Sequence, residues 1–575
     1  MSEIKKTIWK IKKKETEFSE EILKDYSLAV LNLLKHRDIS EKEEIANFLY
    51  PDYERDLSDN SFYLEVEKAT ERIALAKKNQ EKIAIFGDYD ADGVSASAVL
   101  YETFSILGIK NVICYIPDRQ TEGYGLNKNA LKYLSQKEVN LIITVDCGIT
   151  GFQETKQAKK LGMDVIITDH HYVPEKLPEA LTVINPHIPN SNFSFKDLAG
   201  VGVSFKLAQA LVKKIDPSKG ESLKWILDLV AIGTIADCVP LVGENRVLVK
   251  YGLIVLSKTK RSGLLEMFKV GRIDVSENNI PNTQTVSFQI APRINAAGRM
   301  DHANVAYNLL IEKTAILARD MALELEIRNQ ERQKITAEIA REVEILATNS
   351  FKEKKFIFAM SEHWSVGILG LVAGKIMEKF QKPCALFQVQ ADQLVGSFRS
   401  IPQVNIIQLI EKCSDLLIKF GGHSQAAGVS LKKENVEKFY SKMNELIEKE
   451  IFGKDIRHFV EIDYQIQPEE IDWNLMNEIK LMEPFGVGNK EPIFLAEKMI
   501  VVDCKIVGNG QKHLKLSLRG ENKSPKIFDA IGFSLAEKFP HLKKNDKIDI
   551  VFNLEEDEWN GNKKMQLKLI NLRII

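Results

Sequence analysis

Apolar and polar positions follow three different rhythms along this chain. Up to about Pro51 the apolar residues Ile22, Leu23, Leu28, Val30, Leu31 and Leu34 recur at helical spacing in Lys/Glu-rich sequence, which predicts a small helical lead-in. From about Leu64 short continuous apolar runs alternate with amphipathic stretches. The runs 82–86, 112–116, 141–145 and 165–168 read as buried strands, and 94–107, 127–134 and 152–161 as the helices between them. Repeated strand–helix units predict an α/β fold with a parallel, doubly wound sheet. A helical region follows from Gly202 to about Ser257. Between Arg299 and Val366 neither Gly nor Pro interrupts the chain, and Leu309, Ile316, Leu323, Ile327, Ile335, Ile339 and Ile345 recur at helical spacing. One long helix linking two globular bodies is predicted there, with the wholly polar tract 329–334 bridging through solvent. Strands at 355–360 and 383–389 around a helix at 367–380 predict a second α/β domain. From about Arg457 the rhythm becomes short and strand-like, at 459–466, 498–507, 514–519, 527–533, 547–554 and 564–574, with Asn560-Gly561 as a hairpin turn signal. A small barrel of the oligonucleotide-binding (OB) type is predicted, with a β-sandwich as the alternative. The expected division is 1–63 for the helical lead-in, 64–300 for the first α/β domain, 301–350 for the long helix, 351–456 for the second α/β domain and 457–575 for the barrel.

Composition narrows the class. A chain of 575 residues with 44% hydrophobic and 28% charged residues is an ordinary globular protein of several domains. Its formal net charge is −1, so any nucleic-acid binding has to use a local basic groove and not a whole-molecule field. The run Lys12-Lys13-Lys14 reads as a solvated face before a phosphate contact. The six cysteines have neither zinc-ligand spacing nor the pattern of a disulfide framework, and most of them read as reduced core residues. No secretory core and no membrane-spanning run is visible, so a cytoplasmic protein is expected. The absence of a Gly-x-x-x-x-Gly-Lys-Ser/Thr loop leaves nothing to suggest ATP-driven motion.

The candidate chemistry lies at strand ends. The first strand runs into Gly87-Asp88-Tyr89-Asp90-Ala91-Asp92-Gly93, Asp146 closes the run 141–145, and Asp169-His170-His171 follows 165–168. Ligands of open parallel sheets bind beyond the carboxyl ends of the strands, so three acidic clusters fall on the one edge where a site is expected. Crowded carboxylates raise one another's pKa unless something positive sits among them, and a divalent cation is the simplest candidate. An N-cap and turn account for the acidic loop equally well. Asp237, in an apolar stretch before Pro240, is read as either a ligand or a capping group. Together the aspartates and the His pair exceed the needs of one cation and read as a two-metal centre for phosphoester chemistry. Mixed His and carboxylate donors favour Mn²⁺, with Mg²⁺ as the alternative. In the second α/β region, Gly396-Ser397-Phe398-Arg399-Ser400 and Gly421-Gly422-His423 read as Gly-rich loops open to phosphate, or as tight turns.

Asp169-His170-His171 with Asp88-Tyr89-Asp90-Ala91-Asp92-Gly93 resembles the DHH phosphoesterase superfamily, and Gly421-Gly422-His423 resembles its companion DHHA1 domain. Arg119, Glu122-Gly123-Tyr124-Gly125, Arg293-Ile294-Asn295-Ala296-Ala297-Gly298-Arg299 and Gly396–Ser400 resemble the RecJ family, bacterial 5′→3′ exonucleases specific for single-stranded DNA. The resemblance runs in order from about Glu81 to the C-terminus. It implies that Asp90, Asp92, Asp146, His170 and Asp237 ligate the two metals, with Asp146 bridging. It puts Asp169 behind its histidine neighbour as a tautomer-fixing partner, His171 near the scissile phosphate, and Asp88 as an added carboxylate where many relatives carry a different pattern. Arg119 and Arg293 would hold the 5′-terminal phosphate, Ser397, Arg399 and His423 the next phosphates from the second domain, and Arg299, Gly421 and Gly422 would also contact the nucleic acid or its phosphates. The barrel would extend the track by stacking bases. The family's setting is DNA repair and recombination, beside a RecQ-type helicase and single-strand-binding protein, and a monomer is expected. A superfamily oligoribonuclease or cyclic-dinucleotide phosphodiesterase is the enzymatic alternative, and an inactive replication scaffold the non-enzymatic one.

Overall fold

The computed structural model describes residues 7–60, 63–119, 121–189, 191–456, 459–521, 526–559 and 562–575; the predicted Asn560-Gly561 turn lies outside them. The N-terminal segment is not wholly helical. It opens with a strand, β1 (Ile8–Ile11), before the helices Leu28–Lys35 and Lys42–Leu49.

The first α/β body is built on β2 (Ile83–Gly87), β3 (Val112–Tyr115), β4 (Leu141–Val145), β5 (Asp164–Thr168) and β6 (Thr182–Ile184), ordered β3-β2-β4-β5-β6 and all parallel. The middle strands β2 and β4 are buried throughout because both faces are covered by helices, the expected state of an all-parallel sheet. Helix Ala91–Ile106 leaves the end of β2, and helices Gly200–Ile215 and Leu227–Ala236 pack against it in the largest core cluster.

The predicted long helix is two helices. Asn304–Ile311 ends at Glu312, whose carboxylate accepts from the backbone N–H groups of Lys313 and Thr314 at 2.8 and 2.7 Å. Those two donors are thereby satisfied without an intrahelical partner, and the helix restarts as the 35-residue Ala315–Asn349. Leu309 belongs to the shorter helix. Four of the six residues of the polar tract are solvent-exposed, but Asn329 is 1% exposed on the buried face that also carries Leu325 and Thr336, so the tract bridges through solvent on one face only.

The connecting helix leads to a second sheet made of β7 (Ile357–Ser361), β8 (Cys384–Gln390), β9 (Gln393–Arg399), β10 (Leu417–His423) and β11 (Ala426–Lys432), ordered β10-β11-β9-β8-β7. Only β7 and β8 run parallel. The two segments expected to be Gly-rich loops are strands: Gly396–Arg399 lies in β9 and Gly421–His423 in β10. Their glycines meet neighbouring strands, with Gly421 opposite Gly428 and Gly428 opposite Ser397.

The C-terminal region adds β12 (Phe459–Ile462), β13 (Tyr464–Gln465), β14 (Phe494–Val507), β15 (His513–Arg519), β16 (Ile527–Gly532), β17 (Lys547–Trp559) and β18 (Asn562–Ile574). The order β14-β15-β16-β18-β17, with β17 returning to β14, closes a five-stranded barrel and removes its edges. β12 pairs in parallel with β1. Lys12 reaches Asp463 at 2.8 Å, and the Arg573 guanidinium sits 3.7 Å over the Trp9 ring. Val30, Leu31, Leu33 and Leu34 belong to the same core as Phe494, Leu516 and Phe552 of the barrel. Arg246 of the first body donates to the main-chain oxygens of Phe48, Met482 and Leu481 at 3.0, 2.8 and 2.9 Å, tying three segments with one guanidinium. Leu31→Ala is therefore expected to lower the stability of the barrel, not of a separate N-terminal unit, by ~2–5 kcal/mol; a fall in the thermal midpoint followed by barrel near-UV signals checks it. Among the described residues no helix is long and apolar enough to cross a membrane.

Candidate active site

Four chain segments converge at the carboxyl edge of the first sheet. Asp88, Asp90 and Asp92 follow β2, Asp146 follows β4, Asp169, His170 and His171 follow β5, and Asp237 stands at the C-terminal end of helix Leu227–Ala236. His170 Nε2 lies 3.1 Å from Asp146 Oδ1, 3.6 Å from Asp237 Oδ2 and 4.0 Å from Asp92 Oδ2. Three overlapping sets of donor atoms result: Asp88 with Asp90 and Asp146, Asp92 with His170 and Asp237, and Asp146 with His170 and His171, the atoms of each set within 4.8 Å of one another. Asp146 belongs to two of them.

Local backbone demands explain the arrangement. Asp90 caps helix Ala91–Ile106, its Oδ1 accepting from the N–H of Asp92 and Gly93 at 2.9 and 3.1 Å. The capping reading of the acidic loop is thus met by Asp90, and the same loop contributes Asp88, Asp90 and Asp92 to the donor sets. Asn295 Oδ1 accepts from Ala91 N–H at 2.9 Å and fixes the same turn from another helix. Asp92 accepts from the N–H of Gly200 and Val201 at 2.7 and 3.0 Å, at the positive end of helix Gly200–Ile215. Asp146 adopts a left-handed backbone, φ +60°, that aims its carboxylate at the same helix start. A Cβ on Gly200 would come within 2.4 Å of Asp146 Oδ1, so only glycine admits this approach.

Asp169 plays a different part. It is fully buried and accepts from the N–H of Ile149, His170 and His171, and from His171 Nδ1 at 2.8 Å. It holds the imidazole of His171, not that of His170. Tyr124 supports the same ring, its hydroxyl 3.1 Å from His171 Nδ1 and donating to the main-chain oxygen of Asp146. Tyr124 and Asn295 lay inside motifs already singled out, but spacing alone does not say which backbone group a side chain will meet.

The electrostatics are those of a cation site. Burial, then the neighbouring Asp90, pushes Asp92 up to about 7 and Asp88 well above its usual range. Burial, then Asp92 and Asp90, raises Asp237 to about 9 and Asp146 far above an ordinary carboxylate. Burial and the adjacent His171 lower His170 to about 4, which leaves its ring neutral with a lone pair to give. Burial opposes protonation of His171, but the hydrogen bond to Asp169 and the charges of Asp169, Asp237 and Asp88 outweigh it and raise it to about 9. Asp88 Oδ1, Asp146 Oδ1 and His170 Nε2 are buried and have no hydrogen-bonding partner. Buried orphan acceptors of this kind are costly, and divalent cations match their chemistry.

A basic cluster lies beside the cage. Arg119 sits 5.0 Å over the Tyr89 ring. Arg299 Nη1 donates to Gly367 O at 3.1 Å, and Arg399 Nη1 to Ser397 Oγ at 3.2 Å. A Cβ on Gly370 would come within 2.9 Å of Arg399 Nη2, so the first turns of helix Val366–Phe380 press directly on these groups. His423 stands opposite Ala426, and Ala426 opposite Arg399, so the exposed end of β10 continues the same surface. Arg293 has partners of its own. Its guanidinium is engaged by Glu326 at 2.7 Å and by the main-chain oxygens of Gln289 and Gly271.

Comparisons with known proteins agree with this layout. Residues 82–234 match the DHH family N-terminal domain, 353–449 the DHHA1 domain and 462–571 the RecJ OB domain. The single-stranded-DNA-specific exonuclease RecJ of Bacillus subtilis is 37% identical over 542 residues, covering 94% of this chain and 67% of that protein. The exonuclease of the same name from Haemophilus influenzae is 31% identical over 528 residues, covering 89% of this chain and 91% of the other. The crystal structure of RecJ from Thermus thermophilus in complex with Mn²⁺ is similar with a TM-score of 0.81 and 26% identity, covering 98% of this chain and 79% of that one. The Mg²⁺ complex of the same protein gives a TM-score of 0.76.

Proposed function

The chain belongs to the RecJ family of single-stranded-DNA-specific exonucleases, and from that premise we propose that it removes nucleotides from the 5′ end using two divalent cations, Mn²⁺ for preference. The convergence of Asp88, Asp90, Asp92, Asp146, His170 and Asp237 around buried orphan acceptors carries this reading. Asp88, Asp90 and Asp146 would hold one ion, and Asp92, His170 and Asp237 the other, with Asp146 reaching both. Bound there, such ions lower the pKa of a water and take up charge that builds on the phosphate oxygens. A neutral His170 and carboxylates with free lone pairs suit both oxygen-preferring and nitrogen-tolerant ions, and Mn²⁺ accepts the mixture better than Mg²⁺.

The chain's own groups then have defined tasks. Asp169 and Tyr124 orient His171 from its Nδ1 side, which turns Nε2 toward the substrate, where a protonated ring would donate to a phosphate oxygen. Arg119, Arg299, Ser397 and Arg399 receive the 5′-terminal phosphate across the cleft between the two α/β bodies. Arg293, engaged by Glu326, steadies the seam behind them. Gly421, Gly422 and His423 carry the backbone that follows, and the barrel supports bases further along the strand.

Digestion of 5′-labelled and 3′-labelled single strands with Mn²⁺, beside a duplex control, tests the proposal. The 5′ label should appear first as mononucleotide while the 3′ label stays on shortening strands and the duplex is spared. Early loss of the 3′ label, or equal digestion of the duplex, would overturn it.

A further inference from the structure

Asp237 is the one carboxylate of the cage that no strand end supplies. Asp90 and Asp92 each accept from two backbone N–H groups, which fixes their direction. Among the described residues the carboxylate of Asp237 accepts no hydrogen bond, and His170 Nε2 stands 3.6 Å away. Its aim is therefore set by the main chain on either side. On one side its N–H donates to Gly233 O at 3.0 Å, as the last turn of helix Leu227–Ala236. On the other side Cys238 takes a left-handed backbone, φ +61°, and the chain leaves toward Leu241. Side-chain packing gives that stretch little support, because a cleft of about 300 Å³ lined by Ile235, Cys238, Val239 and Leu241 opens beside it. Two hydrogen bonds hold it instead: Pro240 O accepts from Asn245 Nδ2 at 3.0 Å, and Leu241 N–H donates to Val487 O at 2.7 Å.

Val487 belongs to the C-terminal domain. It stands in a turn, 484–489, between helix Trp473–Leu481 and the barrel. Asn489 builds that turn. It is fully buried, and its Nδ2 donates to Met482 O at 2.8 Å and to Pro484 O at 2.9 Å. Its Oδ1 accepts from Arg37 Nε at 2.9 Å, so one amide uses both donors and its acceptor on the turn and on the N-terminal segment. Gly486 and Asn489 close the turn with reciprocal main-chain bonds of 2.8 and 3.2 Å. The outer side of the turn lies flat on the first body. Thr283 Oγ1 donates to Phe485 O at 2.6 Å. A Cβ on Gly486 would come within 2.7 Å of Leu241 Cδ1, and one on Gly488, at φ +75°, within 3.0 Å of Pro240 Cβ. The chain from Asp237 to Leu241 is thus held between its own helix and a turn contributed by another domain.

We propose that Asn489 is a positioning residue for the cation held by Asp92, His170 and Asp237. It acts through the 484–489 turn and the Val487–Leu241 hydrogen bond, so that the C-terminal domain completes a cation site in the first body. This rests on the two-cation reading above. The test titrates Mn²⁺ into the full chain by calorimetry. The variants are Asn489→Ala, Gly488→Ala, Thr283→Val, Asp237→Asn, the combination of Asn489→Ala with Asp237→Asn, and Leu31→Ala. The last weakens the same core and leaves every hydrogen bond of the turn in place. Asn489→Ala should lower the affinity for one of the two ions by about tenfold, the usual cost of removing a group that orients a metal ligand, and leave the other ion as in the wild type. Gly488→Ala and Thr283→Val should weaken the same ion. In the Asp237→Asn background Asn489→Ala should cost nothing further, and Leu31→Ala should keep both affinities. Melts in chelator report folding, and if Asn489→Ala does not fold, Gly488→Ala and Thr283→Val decide. Folded turn variants that bind both ions as the wild type does, that weaken both equally, that are matched by Leu31→Ala, or that add their full loss to Asp237→Asn would overturn the proposal alone. A wild type that takes up fewer than two Mn²⁺ ions would overturn the two-cation reading with it.

Discussion

Asp146→Asn is expected to lower hydrolysis of single-stranded DNA by ~10³-fold or more while binding of the strand in chelator persists. The reasoning starts from the geometry of one side chain. Asp146 belongs to the donor set with Asp88 and Asp90 and, 3.1 Å from His170, adjoins the set with Asp92 and Asp237, so its loss disturbs both proposed cation positions. The substitution is a clean one, because asparagine tolerates the left-handed backbone at φ +60° and fills the same volume against Gly200. The basic cluster and the barrel are untouched, which is why binding should survive. A second consequence has the opposite sign: removing one carboxylate from a buried crowd of like charges should raise the melting temperature of the cation-free protein. Labelled-strand digestion, Mn²⁺ titration calorimetry and thermal melts in chelator check the three parts. Full activity in this variant would remove the basis for the two-ion cage.

The second large effect is a reversal of pH dependence by cations. In the cation-free protein Asp237 keeps its proton up to about 9 and Asp92 up to about 7, whereas the same groups in the unfolded chain ionise near 3.8. A folded-state pKa raised in this way contributes stability at low pH that is lost as pH rises through the folded value. His171, raised from 6.5 to about 9, acts in the same direction. His170, lowered to about 4, acts in the opposite direction, but only below pH 6.5. Between pH 6.5 and 9 the stability in chelator should therefore fall, by on the order of 1–2 kcal/mol per pH unit. Saturating Mn²⁺ takes the deprotonated carboxylates, so its stabilisation should grow over the same range and flatten or invert the curve. Melts from pH 6.5 to 9 with and without Mn²⁺ measure this directly. A chelator curve without slope would mean that these aspartates do not share one buried space.

Sequence alone was enough for the parts of the molecule governed by short-range pattern. Apolar runs of four or five residues, each ended by an aspartate, place the acidic groups on one sheet edge before any contact is known. What it could not supply were choices made by single side chains or by distant strands. Glu312 ends one helix and starts the next by satisfying two N–H groups, and nothing in apolar spacing records that decision. Gly421–His423 looks like a turn until its partners at residues 426–428 are in register. Asn329 looks solvated until helix Ala315–Asn349 packs against its neighbours. Arg293 looks unpaired until Glu326, on the connecting helix, takes its guanidinium.

The pairing of β1 with β12 sets a waiting time during synthesis. Lys12 and Asp463 are 451 residues apart, and a ribosome adding about 5–20 residues per second needs on the order of 20–90 s to supply the second after the first. For that interval the apolar face formed by Val30, Leu31, Leu33 and Leu34 has emerged without the barrel that covers it. These helices are thus made well before the strands that cover them, and the nascent chain carries an uncovered apolar helix until those strands have been translated.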